Sequence, residues 1–243
     1  MTLAMAWLEW NGTVYWSQYS RSAFEPRSAV TSLIEGIWQL LPGSAHFILR
    51  SRIFMNYEPT EMCRGMIVVC GKRMARLPAP PDEILRRMRL KIDAIEVDAL
   101  TVSRTSRSRG HSSSSAFSLP ELDRSIECWL LSREGRLLVC AINTSGRNRT
   151  QHAEMNLLQL WWMREKRPLP AGSRLITTLE PCPMCAGAIW ECIERTDDFC
   201  VQYVSPDPGT VVNKSVLKRS ALLEQCKNLD QGVFFQDSNF KEF

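Results

Sequence analysis

Two short motifs place the strongest constraint on how this chain can fold. His152-Ala153-Glu154 lies upstream of Glu180-Pro181-Cys182-Pro183-Met184-Cys185. One imidazole and two thiolates form a three-ligand set for zinc and leave the fourth tetrahedral position open, as in catalytic rather than structural zinc sites. The fold must therefore bring residue 152 next to the segment 182–185.

Each residue type in the two motifs has a chemical use. Zinc with three protein ligands lowers the pKa of its bound water from 15.7 to roughly 7. Two thiolates and a neutral imidazole cancel the charge of the ion, so its bound water is less acidified than in an all-histidine site. A nearby base therefore becomes useful. Glu154 supplies that base and can act as a general acid and base. Pro181 and Pro183 favour a helix start, which places the cysteines where the helix dipole stabilises thiolates.

A C-x-x-C pair has two other common uses. It occurs as a redox pair and as half of a structural zinc ribbon. The chain has nine cysteines and three histidines, and it contains no second C-x-x-C pair. A catalytic zinc site is the favoured interpretation, with a structural zinc site and a redox pair as the alternatives.

The motifs resemble those of the cytidine deaminase-like superfamily, and most of all its bacterial tRNA adenosine deaminase and guanine deaminase branches. The residues that carry the resemblance are Thr178–Ala188 and the triplet 152–154, and the resemblance spans roughly residues 124 to 225. It implies that His152, Cys182 and Cys185 hold zinc. It also implies that Glu154 is the proton shuttle and that the backbone N–H of Ala153 lines the base pocket.

An asparagine before the histidine extends the predicted site. Asn143 follows a predicted strand and precedes His152 by a short loop. The resemblance implies that this asparagine hydrogen-bonds the substrate ring. A turn residue that caps the strand end is the alternative for Asn143, and Asn148 is the second choice for the substrate contact.

The resemblance implies zinc-dependent hydrolytic deamination of a nucleobase, adenine or cytosine, within RNA such as tRNA or another single-stranded nucleic acid. Two alternatives stay open. One is a deaminase of free guanine, cytosine or adenine or of their nucleosides, as in nucleotide salvage. The other is a non-catalytic nucleic-acid-binding protein with structural zinc. The tRNA-acting members usually end in a basic helix, whereas residues 232–243 carry little positive charge.

The hydrophobic pattern predicts a three-layer α/β/α fold with a mixed sheet for residues 121–243. Residues 128–132 and 137–142 are apolar runs joined through Gly135, which predicts a β-hairpin. A helix is predicted from residue 150 or 151 to about 166, followed by strands at 175–179 and 200–204. This order of elements is typical of α/β folds.

Residues 1–100 predict a smaller N-terminal α/β domain. Its predicted strands are 8–17, 45–56 and 65–71, and its predicted helices are 27–41 and 82–99. Alternatively, the helix at 82–99 belongs to the deaminase domain. No internal repeat is predicted.

A Ser/Arg-rich linker is predicted between the two domains, over residues 101–120. It contains Arg104, Arg107, Arg109 and the serines 112–115, and it has no acidic residue. A flexible linker is the simpler interpretation. The alternative is a basic strap for a phosphate backbone, because residues 1–120 carry a net charge of +5 and residues 121–243 a net charge of −1.

Composition also predicts location and assembly. No stretch reaches the eighteen apolar residues of a membrane span, and the first residues make a poor signal peptide. Nine cysteines, an odd number, favour a reducing compartment, so a cytoplasmic location without membrane association is predicted. A homodimer is predicted from the resemblance, with one alternative: the N-terminal domain covers the same face and completes the pocket within one chain.

Overall fold

A computed structural model describes residues 3–88, 90–92, 126–146, 148–208 and 215–226 of the protein. The predicted linker at 101–120 and the last residues, 232–243, lie outside the described residues. Within the described part, no helix has the length and apolar character to span a bilayer.

The N-terminal residues form a five-stranded sheet with four helices. The strands are β1 (Ala4–Trp10), β2 (Thr13–Tyr19), β3 (Arg52–Met55), β4 (Arg73–Arg76) and β5 (Leu90–Lys91). The helices are α1 (Ala29–Leu40), α2 (Ala45–Ile48), α3 (Glu61–Cys70) and α4 (Asp82–Arg87). The strand order is β4-β3-β1-β2-β5. β1 runs antiparallel to β2 and β3, whereas β4 and β5 run parallel to their neighbours, so the sheet is mixed.

The C-terminal residues form a second five-stranded mixed sheet. Its strands are β6 (Glu127–Leu131), β7 (Leu137–Ile142), β8 (Arg174–Leu179), β9 (Cys200–Ser205) and β10 (Leu223–Gln225), and its helices are α5 (Ala153–Glu165), α6 (Pro183–Cys192) and α7 (Val216–Arg219). The strand order is β10-β9-β8-β6-β7. Both sheets with their helices confirm the predicted α/β class.

The two sheets are joined through their helices. α1 packs on β1 and β2, α5 packs on β6 and β7, and α3 packs along α6. Buried apolar side chains from both halves form one continuous cluster, which includes Leu8, Ile34, Met66, Leu130 and Ile189. Because the cluster is continuous, the N-terminal residues contribute to the same core as the residues that follow β6.

Most predicted elements after residue 126 are confirmed. The hairpin is β6 and β7, and the strands at 175–179 and 200–204 are β8 and β9. α5 begins slightly later than predicted, so His152 is its N-cap residue rather than part of its first turn. The N-cap position matters because the side chain there projects from the helix end.

Three predicted elements before residue 100 are wrong. The single strand at 8–17 is a hairpin, with Asn11 and Gly12 at positive φ in its tight turn. The strand at 45–56 is the short helix α2 followed by β3. The strand at 65–71 is part of α3. The run Ile67-Val68-Val69 is β-branched, which favours a strand by propensity, but packing of α3 against α6 overrides that preference.

The helix predicted at 82–99 is also much shorter within the described residues. α4 ends at Arg87, and Leu90 and Lys91 form β5, which pairs with β2. This segment therefore extends the first sheet, and the alternative that placed the helix in the deaminase domain is not supported.

Candidate active site and metal centre

Three predicted zinc ligands converge at the start of two neighbouring helices. His152 is the N-cap of α5, Cys182 is the N-cap of α6, and Cys185 lies in the first turn of α6. The distance from His152 Nδ1 is 3.5 Å to Cys182 Sγ and 3.6 Å to Cys185 Sγ. The two sulfur atoms are 3.6 Å apart. These residues form the one group among the described residues that could hold a metal ion.

The spacing of the three donor atoms fits zinc. With zinc–sulfur bonds of about 2.3 Å and tetrahedral angles, two sulfurs lie about 3.8 Å apart and a nitrogen lies about 3.6 Å from each sulfur. The observed separations of 3.5–3.6 Å match these values. The donor set of two thiols and an imidazole also suits zinc chemically.

The local sequence explains how α6 presents its cysteines. Pro183 occupies the first helical position, where the missing N–H removes no hydrogen bond. β8 leads directly into this turn, so the end of the strand fixes the position of Cys182. The helix N-terminus is also the end that stabilises a thiolate.

Protonation in the metal-free group follows from these contacts. A hydrogen bond from Cys185 holds the pKa of Cys182 well below its usual range, and His152 adds to this effect. Burial and the Cys182 thiolate raise the pKa of Cys185 well above its usual range. Burial alone would lower the pKa of His152, but its contact with Cys182 raises it to about 9. The His152 imidazolium and the Cys185 thiol would release their protons when a cation binds.

Glu154 lies beside the three donor atoms without being one of them. Its side chain is 3% exposed, and Cys185 Sγ lies 3.5 Å from Glu154 Oε2. Burial is the main cause that raises the pKa of Glu154 to about 7. A carboxyl group with this pKa can take and return a proton near neutral pH.

The two asparagines have different surroundings. Asn143 follows β7, and its Oδ1 accepts a hydrogen bond from the Ser145 N–H at 3.0 Å, which is the turn geometry of the alternative interpretation. Asn148 is buried, and its Oδ1 accepts from both the N–H and the hydroxyl of Thr150. Its Nδ2 has no hydrogen-bond partner within the described residues. Both substrate roles stay predictions, as does that of the Ala153 N–H.

Two further residues hold the site in place. Asn156 Nδ2 donates to the Ile142 carbonyl at 2.9 Å and to Thr144 Oγ1 at 3.0 Å, which ties α5 to the end of β7. Glu180 is buried, and it accepts from Lys218 Nζ at 3.3 Å and from the Asp207 N–H at 3.4 Å. Sequence reasoning gave neither residue a role, although Glu180 opens the motif 180–185. The sequence signal of Asn156 is a polar residue within an otherwise apolar run.

The tryptophans of α5 pack rather than face a ligand. Trp161 is buried, and its Nε1 donates to the carbonyl of Arg167 at 3.1 Å. The Lys166 ammonium lies 5.8 Å from the ring centroid of Trp162. These contacts fit a structural role for both rings.

Comparison with known proteins finds a family that resembles the second half of the chain. Residues 117–228 match the family model of Bd3614-like deaminases. This part of the chain is therefore similar to those deaminases. It contains the three residues of the metal group and Glu154.

The chain was also compared with curated proteins and with solved structures. No curated protein matches it. One solved chain comes from biochemical and structural studies of A-to-I editing by tRNA:A34 deaminases at the wobble position of transfer RNA. It is 24% identical to this chain, with a TM-score of 0.32, and the match covers 41% of this chain and 76% of that one.

Proposed function

We propose that this protein is a zinc-dependent hydrolytic deaminase of a nucleobase, adenine or cytosine, in a single-stranded nucleic acid such as tRNA. The observation that carries the proposal is the group of three donor atoms 3.5–3.6 Å apart with a buried carboxylate next to it. A structural zinc site needs no such carboxylate. Its presence therefore favours an enzyme over a binding protein with structural zinc.

His152, Cys182 and Cys185 would hold the zinc ion. When bound there, zinc would act as a Lewis acid and lower the pKa of water to roughly 7. The fixed helix starts of α5 and α6 hold the three side chains in place before any ligand arrives. The site is therefore organised by the fold rather than by the substrate.

Glu154 would move the protons of the reaction. Hydrolysis replaces the exocyclic C–N bond by a C–O bond, with the oxygen taken from water and the nitrogen released as ammonia. Glu154 would take one proton from the water and pass it to a ring nitrogen of the base. It would then take the second proton from the new hydroxyl group on the attacked carbon and pass it to the departing amine, which leaves as ammonia. The low exposure of its carboxylate keeps bulk water from competing for that proton.

The proposal of a polymeric substrate rests on the charge of the sequence. The chain has a net charge of +4, and residues 101–120 contain arginines without any acidic residue. Such segments attract phosphate backbones. A free base or nucleoside carries no such backbone, so it would not use this segment.

The experiment is ammonia release by the purified protein, with zinc content measured on the same sample. The panel holds bulk tRNA, single-stranded RNA and DNA, and the free bases and nucleosides of adenine, cytosine and guanine. Glu154→Gln is the test variant, and Glu165→Gln, at the exposed end of the same helix, is the matched control. We expect release from a polymer with wild type and with Glu165→Gln, and none with Glu154→Gln.

Two results would contradict parts of the proposal. Glu154-dependent release from a free base or nucleoside alone would overturn the polymeric substrate and favour nucleotide salvage. No release from any member of the panel by a zinc-loaded protein would overturn the enzyme and favour the binding protein.

A further inference from the structure

The two halves of the chain share one topology. We call residues 4–76 the first unit and residues 127–205 the second unit. Each unit has a hairpin, a helix, a strand, a helix and a strand in the same order, and the strand order β4-β3-β1-β2 corresponds to β9-β8-β6-β7. The short helix α2 is an addition in the first unit.

The register of one strand pair, β1–β3 in the first unit and β6–β8 in the second, also corresponds. Trp7 pairs with Phe54 in the first unit, and Trp129 pairs with Ile176 in the second. Trp7 and Trp129 are as far apart in sequence as Phe54 and Ile176. A shift of one residue would reverse the faces of a strand, so a shared register indicates more than a shared strand order.

A sequence motif repeats at this same separation. Glu58-Pro59-Thr60-Glu61-Met62-Cys63-Arg64-Gly65 aligns with Glu180-Pro181-Cys182-Pro183-Met184-Cys185-Ala186-Gly187 without a gap. The identical positions are glutamate, proline, methionine, cysteine and glycine. Beyond the motif, Ile67 aligns with Ile189 and Cys70 with Cys192. α3 is therefore the counterpart of α6.

Two of the three proposed ligand positions carry other residues in the first unit. Ser28 is the N-cap of α1, as His152 is of α5, and Thr60 is the N-cap of α3, as Cys182 is of α6. Cys63 is retained as the counterpart of Cys185.

The replaced side chains still converge. Ser28 Oγ lies 3.2 Å from Cys63 Sγ, and Thr60 Oγ1 lies 3.3 Å from the same sulfur. Two hydroxyls and one thiol form a poor set of ligands for zinc. Val30 occupies the position that corresponds to Glu154, two residues after the N-cap, so the proton shuttle is missing as well.

Tyr57 fills the space beside these side chains. Its hydroxyl lies 3.6 Å from Cys63 Sγ and accepts a hydrogen bond from the Val30 N–H at 3.1 Å. Leu179, which has no polar atom on its side chain, stands at the corresponding position before the motif of the second unit. The phenol of Tyr57 therefore places a hydroxyl beside Cys63, at a position where the second unit has an apolar side chain.

The two units contact each other through matching helix faces. A Cβ atom on Gly65 would overlap the Pro183 carbonyl and lie 2.8 Å from Met184 Cα, and one on Gly187 would lie 2.7 Å from the Met62 N. Each glycine thus faces the first turn of the other helix. Contacts that are reciprocal in this way are the mark of a two-fold interface between like subunits.

A second pair of counterparts meets at the same interface. Glu35 of α1 and Gln159 of α5 occupy equivalent positions, and Gln159 Nε2 donates to Glu35 Oε1 at 3.0 Å. Both side chains are buried. The interface therefore extends from the α3–α6 pair to the α1–α5 pair.

The first unit also reaches the surroundings of the metal group. Cys70 Sγ lies 3.9 Å from the carbonyl oxygen of Arg149, in the loop before His152. The Arg149 guanidinium lies 5.8 Å from the ring centroid of Trp38 in α1. The first unit thus holds the loop that leads into the histidine ligand.

We propose that the first unit is a second copy of the deaminase unit, that it has lost its metal site, and that it serves as a built-in partner for the second unit. It covers the helix face through which two such units would otherwise pair, so the working protein is one chain with one zinc ion. The count of one zinc rests on the proposed function, whereas the relation between the two units does not.

The mass of the unmodified protein tests the built-in partner. Light scattering across a range of protein concentrations should give the mass of one chain, 27.8 kDa. A mass of two chains would overturn the proposal that the first unit replaces a partner. This measurement needs no variant.

Repair of the lost ligands tests the second copy. The variant Ser28→His, Thr60→Cys, Tyr57→Leu restores the ligand set around Cys63 and removes the phenol. The matched control is Ser28→Ala, Thr60→Ala, Tyr57→Leu. Zinc per chain, measured by mass spectrometry on protein with a cooperative thermal transition, should rise from one to two in the repaired variant and stay at one in the control.

A repaired variant that folds and still holds one zinc would overturn the proposal that the first unit is a former metal site. Zinc in the repaired variant but none in the wild type would leave the relation between the units standing and contradict the proposed function. If the repaired variant does not fold, the mass of the unmodified chain still decides whether the partner is built in.

Discussion

The helix starts of the two units differ in whether their N-cap side chains stabilise the helix. In the first unit the N-cap residues Ser28 and Thr60 accept hydrogen bonds from the N–H groups of Thr31 and Cys63. In the second unit the N-cap residues His152 and Cys182 make no such side-chain bond. An N-cap hydrogen bond is worth about 1 kcal/mol. The N-cap position can serve either helix stability or ligand binding. The first unit uses it for helix stability, and the second unit has the proposed ligands there.

The residue two positions after the N-cap differs in the same way. Val30 is fully buried and apolar, whereas Glu154 is a buried carboxylate. Burial raises the pKa of Glu154 to about 7, which means that the folded protein disfavours its charged form. The second unit keeps an unfavourable residue at the position of the proposed proton shuttle, and the first unit has an ordinary core residue there.

The largest difference between the units should appear in catalysis. Glu154→Gln should lower kcat at least about 100-fold, because it removes the proton carrier, while zinc content stays the same. The counterpart change, Val30→Ala, should leave kcat per folded molecule unchanged. Ammonia release with zinc analysis checks both. An equal loss from the two variants would mean that the units do not differ in this role.

The next largest effect should come from a substitution at the close contact between α3 and α6. Gly65→Ala should reduce the free energy of unfolding by about 3 kcal/mol, because its methyl group would overlap the backbone of α6. Gly43→Ala is the matched control, since a Cβ atom there meets no atom within 4 Å. Its effect should stay within about 0.5 kcal/mol. Urea unfolding measures both, and similar values for the two variants would contradict the close approach of α3 and α6.

The buried pair between α1 and α5 should make stability depend on pH. Burial raises the pKa of Glu35 from 4.5 to about 7, although Arg27 and the hydrogen bond from Gln159 oppose the rise. Because the folded-state pKa is the higher one, its stabilising contribution is complete below pH 4.5 and is lost as pH rises through 7.

Glu35→Gln removes this titration. It should match wild type in stability near pH 4.5 and exceed it at pH 8 by roughly 2 kcal/mol. Glu165→Gln, on the exposed end of α5, should show no such pH-dependent difference from wild type. Thermal unfolding across this pH range provides the measurement, and a constant difference between wild type and Glu35→Gln would contradict the raised pKa.

The smallest expected effect concerns the tyrosine that fills the first unit. Tyr57→Phe should lower the free energy of unfolding by about 1 kcal/mol, because the buried Val30 N–H loses its acceptor. Zinc content should not change, since Tyr57 lies in the unit without ligands. Unchanged stability would mean that the Tyr57 hydroxyl is not a significant partner of α1.

Sequence reasoning predicted the convergence of the proposed ligands better than the elements around them. His152, Cys182 and Cys185 converge as their spacing required, and the hairpin with Gly135 at its turn is confirmed. The predicted strand at 65–71 is wrong, because Val68 and Val69 favour strands locally while contacts to α6 decide the helix. Such contacts lie far away in the chain, so a local pattern cannot contain them.

Sequence reasoning also misses the repeat that relates the two units. The repeat escapes notice because the run of identical residues is confined to a short motif and because two of the three ligand positions, at Ser28 and Thr60, carry other residues. Where packing is tight, as at Gly65 and Gly187, the residue is the same in both units. Where the second unit holds its chemistry, at His152 and Glu154, the first unit differs.

The pair of Glu35 and Gln159 has a consequence for how this interface can change. In a dimer of identical chains, the symmetry axis places such a residue against its own copy, so one mutation alters both sides at once. Two buried glutamates there would repel each other. Within one chain each side mutates alone, which permits an acid on one side and an amide on the other. Two units in one chain can therefore pair two different residues at equivalent positions, which a symmetric dimer of identical chains cannot do.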